Sequence, residues 1–177
     1  ADNNIGWTVE ARAKITNDDA SLDRTDAFTT PTDYVFVLDN SDQVTNGNVQ
    51  SYRNYLFGSF LNSLGVNDYF NVVIYNSNIV TAFPDSVQAT GDNITQAKTF
   101  VATLEDPSGG ALVENALNMA MSQTFNTDNK NIVLIGSGQM TDPSISDVPS
   151  NVKITNDAGP VADIYTISLG NSVFNSA

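Results

Sequence analysis

The residues best suited to chemistry follow directly on one hydrophobic segment of the chain. Residues 34–38 read Tyr-Val-Phe-Val-Leu, and the polar residues after them include Asp39 and Ser41. A continuously apolar run predicts a strand that is covered on both faces. Open α/β sheets place their ligand sites at the carboxyl ends of such strands. The Asp39 carboxylate and the Ser41 hydroxyl are therefore candidate ligands for a hard cation or for a polar group of a partner.

Two residue types are missing from the chain, and their absence removes several kinds of site. The sequence contains no Cys and no His. A thiol nucleophile, a disulfide, an imidazole base and a Ser-His-Asp triad are therefore excluded. Zinc prefers the same two side chains as ligands, so zinc is not expected. A bound cation would be Mg²⁺ or Ca²⁺, held by oxygen atoms.

The composition describes an acidic globular protein. A length of 177 residues and a hydrophobic fraction of 41% indicate one domain with a substantial core. With 20 acidic and 7 basic side chains, the formal net charge is -13. Such a surface repels phosphate groups, so we expect no nucleic-acid partner and no membrane insertion. The abundance of Asn, Asp, Ser and Thr beside few basic residues favours an extracellular or cell-surface location.

The amino-terminal part of the sequence has a pattern of its own. In residues 7–15, apolar side chains alternate with polar ones, which predicts a half-exposed strand. Residues 17–32 are polar and end near Pro31, as a connection would. The expected organisation is therefore an amino-terminal strand and linker over residues 1–32 and a main domain over residues 33–177. The first strand could also add to a neighbouring sheet.

Strand-like and helix-like segments alternate through the rest of the chain. This order predicts an α/β fold: a Rossmann-like, open, mostly parallel central sheet with one antiparallel edge strand and helices on both faces. The segments after residue 38 are a helix at 46–64, strands at 69–75 and 79–83, a helix capped by Asp92, a helix after Gly109-Gly110, and strands at 132–135 and 164–169.

Several of these segments resemble the von Willebrand factor A (VWA) domain over residues 33–170. The strand that ends in Asp39 resembles the one that carries the family's metal-adhesion motif, Asp-x-Ser-x-Ser. Residues 64–76, Leu-Gly-Val-Asn-Asp-Tyr-Phe-Asn-Val-Val-Ile-Tyr-Asn, are similar to a run in the VWA domains of calcium-channel α2δ subunits and inter-α-trypsin inhibitor heavy chains. Gly109-Gly110 resembles the loop with the family's Thr ligand, and residues 132–138 resemble the strand that normally ends Thr-Asp-Gly.

The resemblance implies a site for Mg²⁺ or Ca²⁺, completed by an acidic residue of the partner protein, but this sequence departs from the pattern. Asp39 and Ser41 match the first two ligands. Gln43 stands at the second Ser, Ala111 at the Thr, and Ser137 at the distal Asp. Since one carboxylate and hydroxyl groups compensate poorly for the water that Mg²⁺ gives up, we expect a degenerate metal site and no cofactor, with Mg²⁺ or Ca²⁺ as the alternative. Its residues would be Asp39, Ser41 and Ser137.

The nearby loops supply candidate contacts with a partner protein. The residues concerned are Asp42, Gln43, Asp106, Ala111 and Asp142. The predicted function is a non-enzymatic protein–protein interaction module for adhesion or extracellular assembly, with a protein partner or with further copies of itself. The alternative is a Mg²⁺- or Ca²⁺-dependent ligand-binding module, including a channel-accessory-like role.

Two other interpretations of the same residues are weaker. Gly136-Ser137-Gly138 could belong to a phosphate loop, but Thr141 stands where a dinucleotide fingerprint needs its third Gly. Asp39 could serve as a nucleophile, but a phosphoryl-transfer loop would carry a second acid at the position of Ser41. A set of aromatic residues could form a contact surface, although capping of the core is the favoured interpretation; these are Phe28, Phe83, Phe125 and Phe174.

Overall fold

Strands and helices alternate in a computed structural model, which describes residues 30–45 and 49–169. A short 3-10 helix, Asp42–Val44, follows the first strand. The strands are β1 (Thr32–Asp39), β2 (Tyr69–Tyr75), β3 (Ile79–Thr81), β4 (Val87–Gln88), β5 (Asn129–Gly136) and β6 (Asp163–Ser168), and the helices are α1 (Val49–Ser63), α2 (Gly91–Ala102), α3 (Val113–Met121) and α4 (Val148–Ala158).

The described strands form one sheet in the order β3-β2-β1-β5-β6, and β4 pairs with β2 beside this path. Strands β1, β2, β5 and β6 are parallel, whereas β3 and β4 run antiparallel to β2. Parallel neighbours require crossover connections, and helices supply them here. The α/β prediction, with a mostly parallel open sheet and helices on both faces, is confirmed.

The central strand explains why the core has two layers. Side chains alternate along β1, so Val35 and Val37 enter one core while Phe36 and Leu38 enter the other. All four are fully buried. Helices α3 and α4 pack on the first face of the sheet, and α1 and α2 pack on the second. The carboxyl end of β1 is thereby held between two packed layers, with its polar loop at the edge.

Helix α4 and strand β4 are absent from the sequence prediction. Of the residues in α4, only Val148 and Val152 are buried, and most of its other positions are Asn, Asp, Ser, Thr or Lys. Two buried residues make a weak periodic signal, and Pro149 reads as a helix breaker, although it is well suited to the first turn. Packing of α4 against α3, and not its own propensity, therefore decides this helix.

Several predicted boundaries differ from the observed ones by a few residues. Thr90, and not Asp92, is the N-cap of α2, because its hydroxyl accepts a hydrogen bond from the Asn93 N–H. The second hairpin strand ends at Thr81, two residues earlier than expected. Residues 46–48 lie outside the described residues, so the predicted start of the first helix at residue 46 stays a prediction. Hydrogen bonding at the termini, which periodicity does not report, sets these limits.

Some sequence predictions lie outside the described residues. These are the strand at residues 7–15, the linker up to residue 29, and Phe28 and Phe174. The division at residue 32 stays a prediction. Phe83 is buried and Phe125 is half-buried against the core on the α3 side, so these two aromatic residues pack inward. None of the described helices is long and apolar enough to cross a bilayer.

One polar residue inside the sheet ties β2 to its surroundings. Asn71 is fully buried, and its amide donates to the Phe83 carbonyl (2.9 Å) and to the Gln123 side-chain oxygen (2.6 Å). Its side-chain oxygen accepts from the Phe83 N–H (3.1 Å) and the Val72 N–H (2.7 Å). All of its hydrogen-bonding capacity is therefore used, as burial of an amide requires.

Replacement of Asn71 by Ala should lower the free energy of unfolding by about 3 kcal/mol, because buried groups of Phe83 and Gln123 lose their partners. Urea unfolding followed by circular dichroism measures this. The matched control is Asn67→Ala in the exposed turn before β2, which should change stability by less than about 0.5 kcal/mol. Equal effects of the two substitutions would contradict the structural role of Asn71.

Candidate functional site

The candidate site lies at the edge of the sheet where β1, β2 and β5 end. Asp39 is the last residue of β1 and is directly opposite Tyr75, the last residue of β2. On the other side, β5 ends at Gly136 and leads into Ser137. The carboxyl ends of three parallel strands thus bring the loop after β1 and the loop after β5 together, as the topology requires.

The Asp39 carboxylate binds both loops. One oxygen accepts from the Ser41 hydroxyl (2.6 Å) and the Ser41 N–H (3.0 Å). The other accepts from the Ser137 hydroxyl (3.0 Å) and the Ser137 N–H (3.1 Å). All three residues are buried, with Asp39 and Ser41 fully so. Hydrogen bonds to a carboxylate are about twice as strong as neutral ones, so this group acts as a clamp between the ends of β1 and β5.

Gly136 makes room for the clamp. A β-carbon at this position would lie 2.7 Å from the Asp39 β-carbon, 2.9 Å from its Oδ2 and 3.1 Å from the Tyr75 hydroxyl oxygen. The first two distances are too short for any real β-carbon. Residue 136 therefore has to be glycine for Asp39 to reach Ser137, a packing reason that the sequence alone does not reveal.

Arg53 holds the end of β1 and the loop that follows it. Its role was not predicted from the sequence. Its guanidinium donates to the Asp39 carbonyl and to the Asn40 side-chain oxygen (3.0 Å). Burial lowers the pKa of Arg53, and the nearby Asp39 charge opposes that shift. The available signal was positional: Arg53 lies four residues from both Val49 and Phe57 and so falls on the buried stripe of α1.

Tyr75 closes the site on the β2 side. Burial raises its pKa well above the ordinary value of a phenol, and the negative charges of Asp39 and Asp142 and a side-chain hydrogen bond with Asp39 add to the shift, against Arg53. The phenol therefore stays protonated in the folded protein at ordinary pH. It contributes a neutral polar group beside a carboxylate and not a second charge.

The loop between α2 and α3, residues 103–112, packs through its backbone against the loops after β1 and β5. Gly109 has a φ of +76°, a conformation that favours glycine, and its carbonyl accepts from the Asp42 N–H (3.0 Å). Ala111 is fully buried, and its N–H donates to the Thr141 hydroxyl (2.7 Å). The Thr141 N–H in turn donates to the Ala111 carbonyl (3.0 Å). The three loops therefore form one bonded surface.

The Asp142 carboxylate holds the start of α3. It is buried, and its two oxygens accept from the Val113 N–H (3.1 Å) and the Glu114 N–H (3.0 Å) at the start of α3. A carboxylate at a helix amino terminus satisfies otherwise unpaired N–H groups and is stabilised by the helix dipole. Asp142 is thus a capping residue supplied from a distant loop.

The structure therefore separates the predicted site residues into three groups. Asp39, Ser41 and Ser137 converge on one point. Ala111 and Asp142 are buried in the neighbouring loops. The remaining three lie toward solvent: Asp42 and Asp106 are exposed, and Gln43 is partly exposed.

Asp39, Ser41 and Ser137 form a poor set of ligands for a hard cation. Mg²⁺ takes six oxygens in a near-ideal octahedron and usually one or two carboxylates. Here one carboxylate is present, with both oxygens already accepting hydrogen bonds, and Ala111 offers a methyl group. Within residues 30–45 and 49–169, no group of three or more acidic, His or Cys side chains is arranged to hold a metal ion.

Comparison with known proteins identifies the fold family. The profile described as "von Willebrand factor type A domain" matches residues 32–173, which is most of the chain. The chain belongs to the von Willebrand factor type A domain family. The earlier resemblance is thereby confirmed. Domains of this family are protein-interaction and adhesion modules.

In similar proteins the matched segment is a small part of a much longer chain. Human inter-alpha-trypsin inhibitor heavy chain H4 is 29% identical over 93 residues, which cover 52% of this chain and 10% of that protein. The matched part is thus about a tenth of the relative.

Solved structures that share the fold include the following two. A von Willebrand factor type A protein from Catenulispora acidiphila has a TM-score of 0.66 at 16% identity, covering 80% of this chain and 34% of that chain. The pilus adhesin SpaC from Lactobacillus rhamnosus GG has a TM-score of 0.64 at 12% identity, covering 78% and 24%.

Because the pKa of the buried Tyr75 phenol is raised, we expect the stability of this VWA domain to fall at alkaline pH. The unfolded chain releases the Tyr75 proton near pH 10, whereas the folded chain retains it because the folded pKa is raised. The stabilisation that the protonated Tyr75 phenol contributes to folding is fully present below about pH 10. It is lost as the pH rises toward the folded pKa, at up to about 1.4 kcal/mol per pH unit.

Urea unfolding between about pH 8 and pH 11.5 should therefore show a steeper loss of stability in the wild type than in Tyr75→Phe. Tyr55→Phe is the control, since the Tyr55 side chain is 73% exposed, and its curve should follow the wild type. Parallel curves for the wild type and Tyr75→Phe would contradict the assignment.

Proposed function

We propose that this domain is a non-enzymatic protein–protein interaction module for adhesion or extracellular assembly and that it works without a functional metal site. The observation that carries the proposal is that both oxygens of the Asp39 carboxylate already accept hydrogen bonds from Ser41 and Ser137, four in total. In the family pattern a cation organises this corner of the sheet. Here hydrogen bonds within the chain perform that task.

The loss of the family's metal ligands also changes which charge on a partner protein this surface would attract. A cation at this edge would attract an acidic group of the partner. Without one, the exposed acids of the surrounding loops are Asp42 and Asp106, whereas the basic Arg53 is buried. Since like charges repel and opposite charges steer association, the partner surface is basic. The contact surface consists of the exposed parts of residues 39–45, 106–112 and 136–142.

The chemistry of the corner supports a role in binding. Asp39 is fully buried and fully hydrogen-bonded, so it is a poor nucleophile. Ser41 stands where a second acid would be needed, and the chain has no His or Cys to act as a base. The location, outside the cell or on its surface, is proposed from the composition and agrees with the fold shared with a pilus adhesin.

Isothermal titration calorimetry with Mg²⁺ and Ca²⁺ tests the absence of a functional metal site. Because the ligand set is incomplete, we expect no binding tighter than about 1 mM in the wild type and no difference in Asp39→Asn. The triple variant Gln43→Ser, Ala111→Thr, Ser137→Asp restores the missing oxygens and should gain measurable binding. Micromolar binding by the wild type that Asp39→Asn abolishes would establish the metal-dependent alternative.

Charge reversal on the loops tests the contact surface. A partner is first identified by chemical cross-linking to the full chain and then titrated by surface plasmon resonance. Asp42→Lys with Asp106→Lys should weaken its binding by about tenfold or more, mainly through a slower association rate at low salt. Asp92→Lys, an exposed acid on α2, is the matched control and should have little effect. Equal loss in both variants, or no loss in either, would contradict the proposed surface.

A further inference from the structure

Asn40 is a buried polar residue to which the family motif assigns no role. It lies between Asp39 and Ser41, at the unspecified position of Asp-x-Ser, and it is 4% exposed. Burial of a side-chain amide is unfavourable unless its oxygen and its nitrogen both find hydrogen-bond partners. The partners of Asn40 therefore indicate what the residue does.

The Asn40 amide bridges two parts of the chain that are distant from it in sequence. Its oxygen accepts a hydrogen bond from the Arg53 guanidinium of α1 (3.0 Å), and its nitrogen donates to the Glu105 carbonyl in the loop between α2 and α3 (3.2 Å). A guanidinium only donates and a carbonyl only accepts, so the two partners fix the orientation of the amide. A carboxylate of the same size would lack the donor. The position therefore requires both halves of an amide.

Arg53 gives this bridge a firm base. It is fully buried in α1, and its Nε and Nη2 both donate to the Asn54 side-chain oxygen (3.0 and 2.9 Å). Its Nη1 donates to the Asp39 carbonyl and to Asn40. Because the donors of a guanidinium form a rigid planar fork, fixing one side of the group also fixes the other. The orientation of Asn40 thus follows from the packing of a helix.

The backbone of Asn40 strengthens the same connection. Its N–H donates to the Tyr75 carbonyl at the end of β2 (2.8 Å), and its carbonyl accepts from the Ser108 N–H (3.0 Å). In the described part of the chain, the hydrogen bonds that join residues 105–108 to other elements are both made with Asn40. This one residue therefore determines where that half of the loop lies.

The segment that Asn40 holds carries an exposed acid of the proposed contact surface, Asp106. The other exposed acid, Asp42, follows Asn40 by two residues, and its N–H donates to the Gly109 carbonyl (3.0 Å). The two loops are thus joined on both sides of Asp106. Exposed loops of this kind are mobile unless a scaffold holds them, and here Asn40 links them to the scaffold.

We propose that Asn40 is a positioning residue for partner binding. It holds the loop after β1 and the loop between α2 and α3 as one unit, so that Asp42 and Asp106 meet a basic group of the partner together. Two charges that are already fixed relative to each other lose little freedom on binding, whereas charges on independent loops must first be ordered. This inference rests on the proposed function and adds the residue that gives its contact surface a fixed geometry.

Hydrogen exchange on the full chain tests the bridge. Asn40→Asp keeps an acceptor for Arg53 but replaces the donor to Glu105 with an oxygen, and Asn40→Ala removes both groups without adding charge. Each variant should speed exchange of the Ser108 amide by about tenfold or more, while amides of β5 change by less than about twofold. Asn78→Asp, in the exposed turn after β2, is the matched control and should leave Ser108 unchanged. Unchanged exchange at Ser108 in both Asn40 variants, or equal acceleration in β5, would overturn the proposal.

A peptide titration followed by NMR separates positioning from charge alone. With hexa-arginine as the probe, the amide signals of Asp42 and Asp106 in the wild type should shift together with one dissociation constant. Binding should weaken by about threefold or more in Asn40→Ala and in Asn40→Asp, although the added charge of the second variant would by itself favour a basic peptide. Asn78→Asp adds the same charge and should bind at least as tightly as the wild type.

The titration also distinguishes the role of Asn40 from the proposed function. Equal binding by the wild type and Asn40→Ala, or tighter binding by Asn40→Asp, would overturn the positioning role and leave the acidic contact surface standing. If hexa-arginine shifted neither Asp42 nor Asp106 in the wild type, the acidic contact surface and the role of Asn40 would both be wrong.

Discussion

The polar edge of this domain depends on one buried carboxylate. Asp39 lies at the end of a strand whose side chains fill both cores, so its position is set by packing on two faces of the sheet. From there it accepts four hydrogen bonds from the loops after β1 and β5. An unpaired carboxylate at this depth would cost several kcal/mol, so the loops must retain the conformation that supplies its donors. Gly136 is part of the same constraint, since any side chain there would fill the space that Asp39 needs.

The electrostatics around Asp39 explain how such a site stays ordered within the chain. Arg53 approaches from α1 and holds the Asp39 carbonyl, so a positive charge lies close to the carboxylate without contacting solvent. Tyr75 adds a neutral phenol because burial and nearby acids hold its pKa high. The outer loop residues are then left to define the surface. A buried site of this kind stabilises the loops, whereas in the proposed function the exposed acids Asp42 and Asp106 would favour a basic partner surface.

Comparison of the sequence predictions with the structure shows which signals were sufficient. The apolar run at residues 34–38, the hairpin after β2 and the helical spacing in α1 were strong enough to predict the fold class, because burial imposes regular patterns. Helix α4 gave no such pattern, since only two of its side chains are buried. Arg53 and Asn71 were missed for a related reason: each is a polar residue at an apolar position, and its role depends on partners distant in sequence, such as Asp39 for Arg53 and Gln123 for Asn71.

The sequence by itself determined the architecture, the polar strand end at Asp39, and the loss of the second Ser, the Thr and the distal Asp from the family pattern. These follow from residue types and their spacing, which are local properties. The tertiary structure alone decided how the remaining residues are used. It directs the Ser41 and Ser137 hydroxyls onto Asp39, assigns Asp142 to the start of α3 and leaves Asp42 and Asp106 at the surface. Those outcomes depend on which strand ends become neighbours, and the order of strands in the sheet sets that, not their order in the chain.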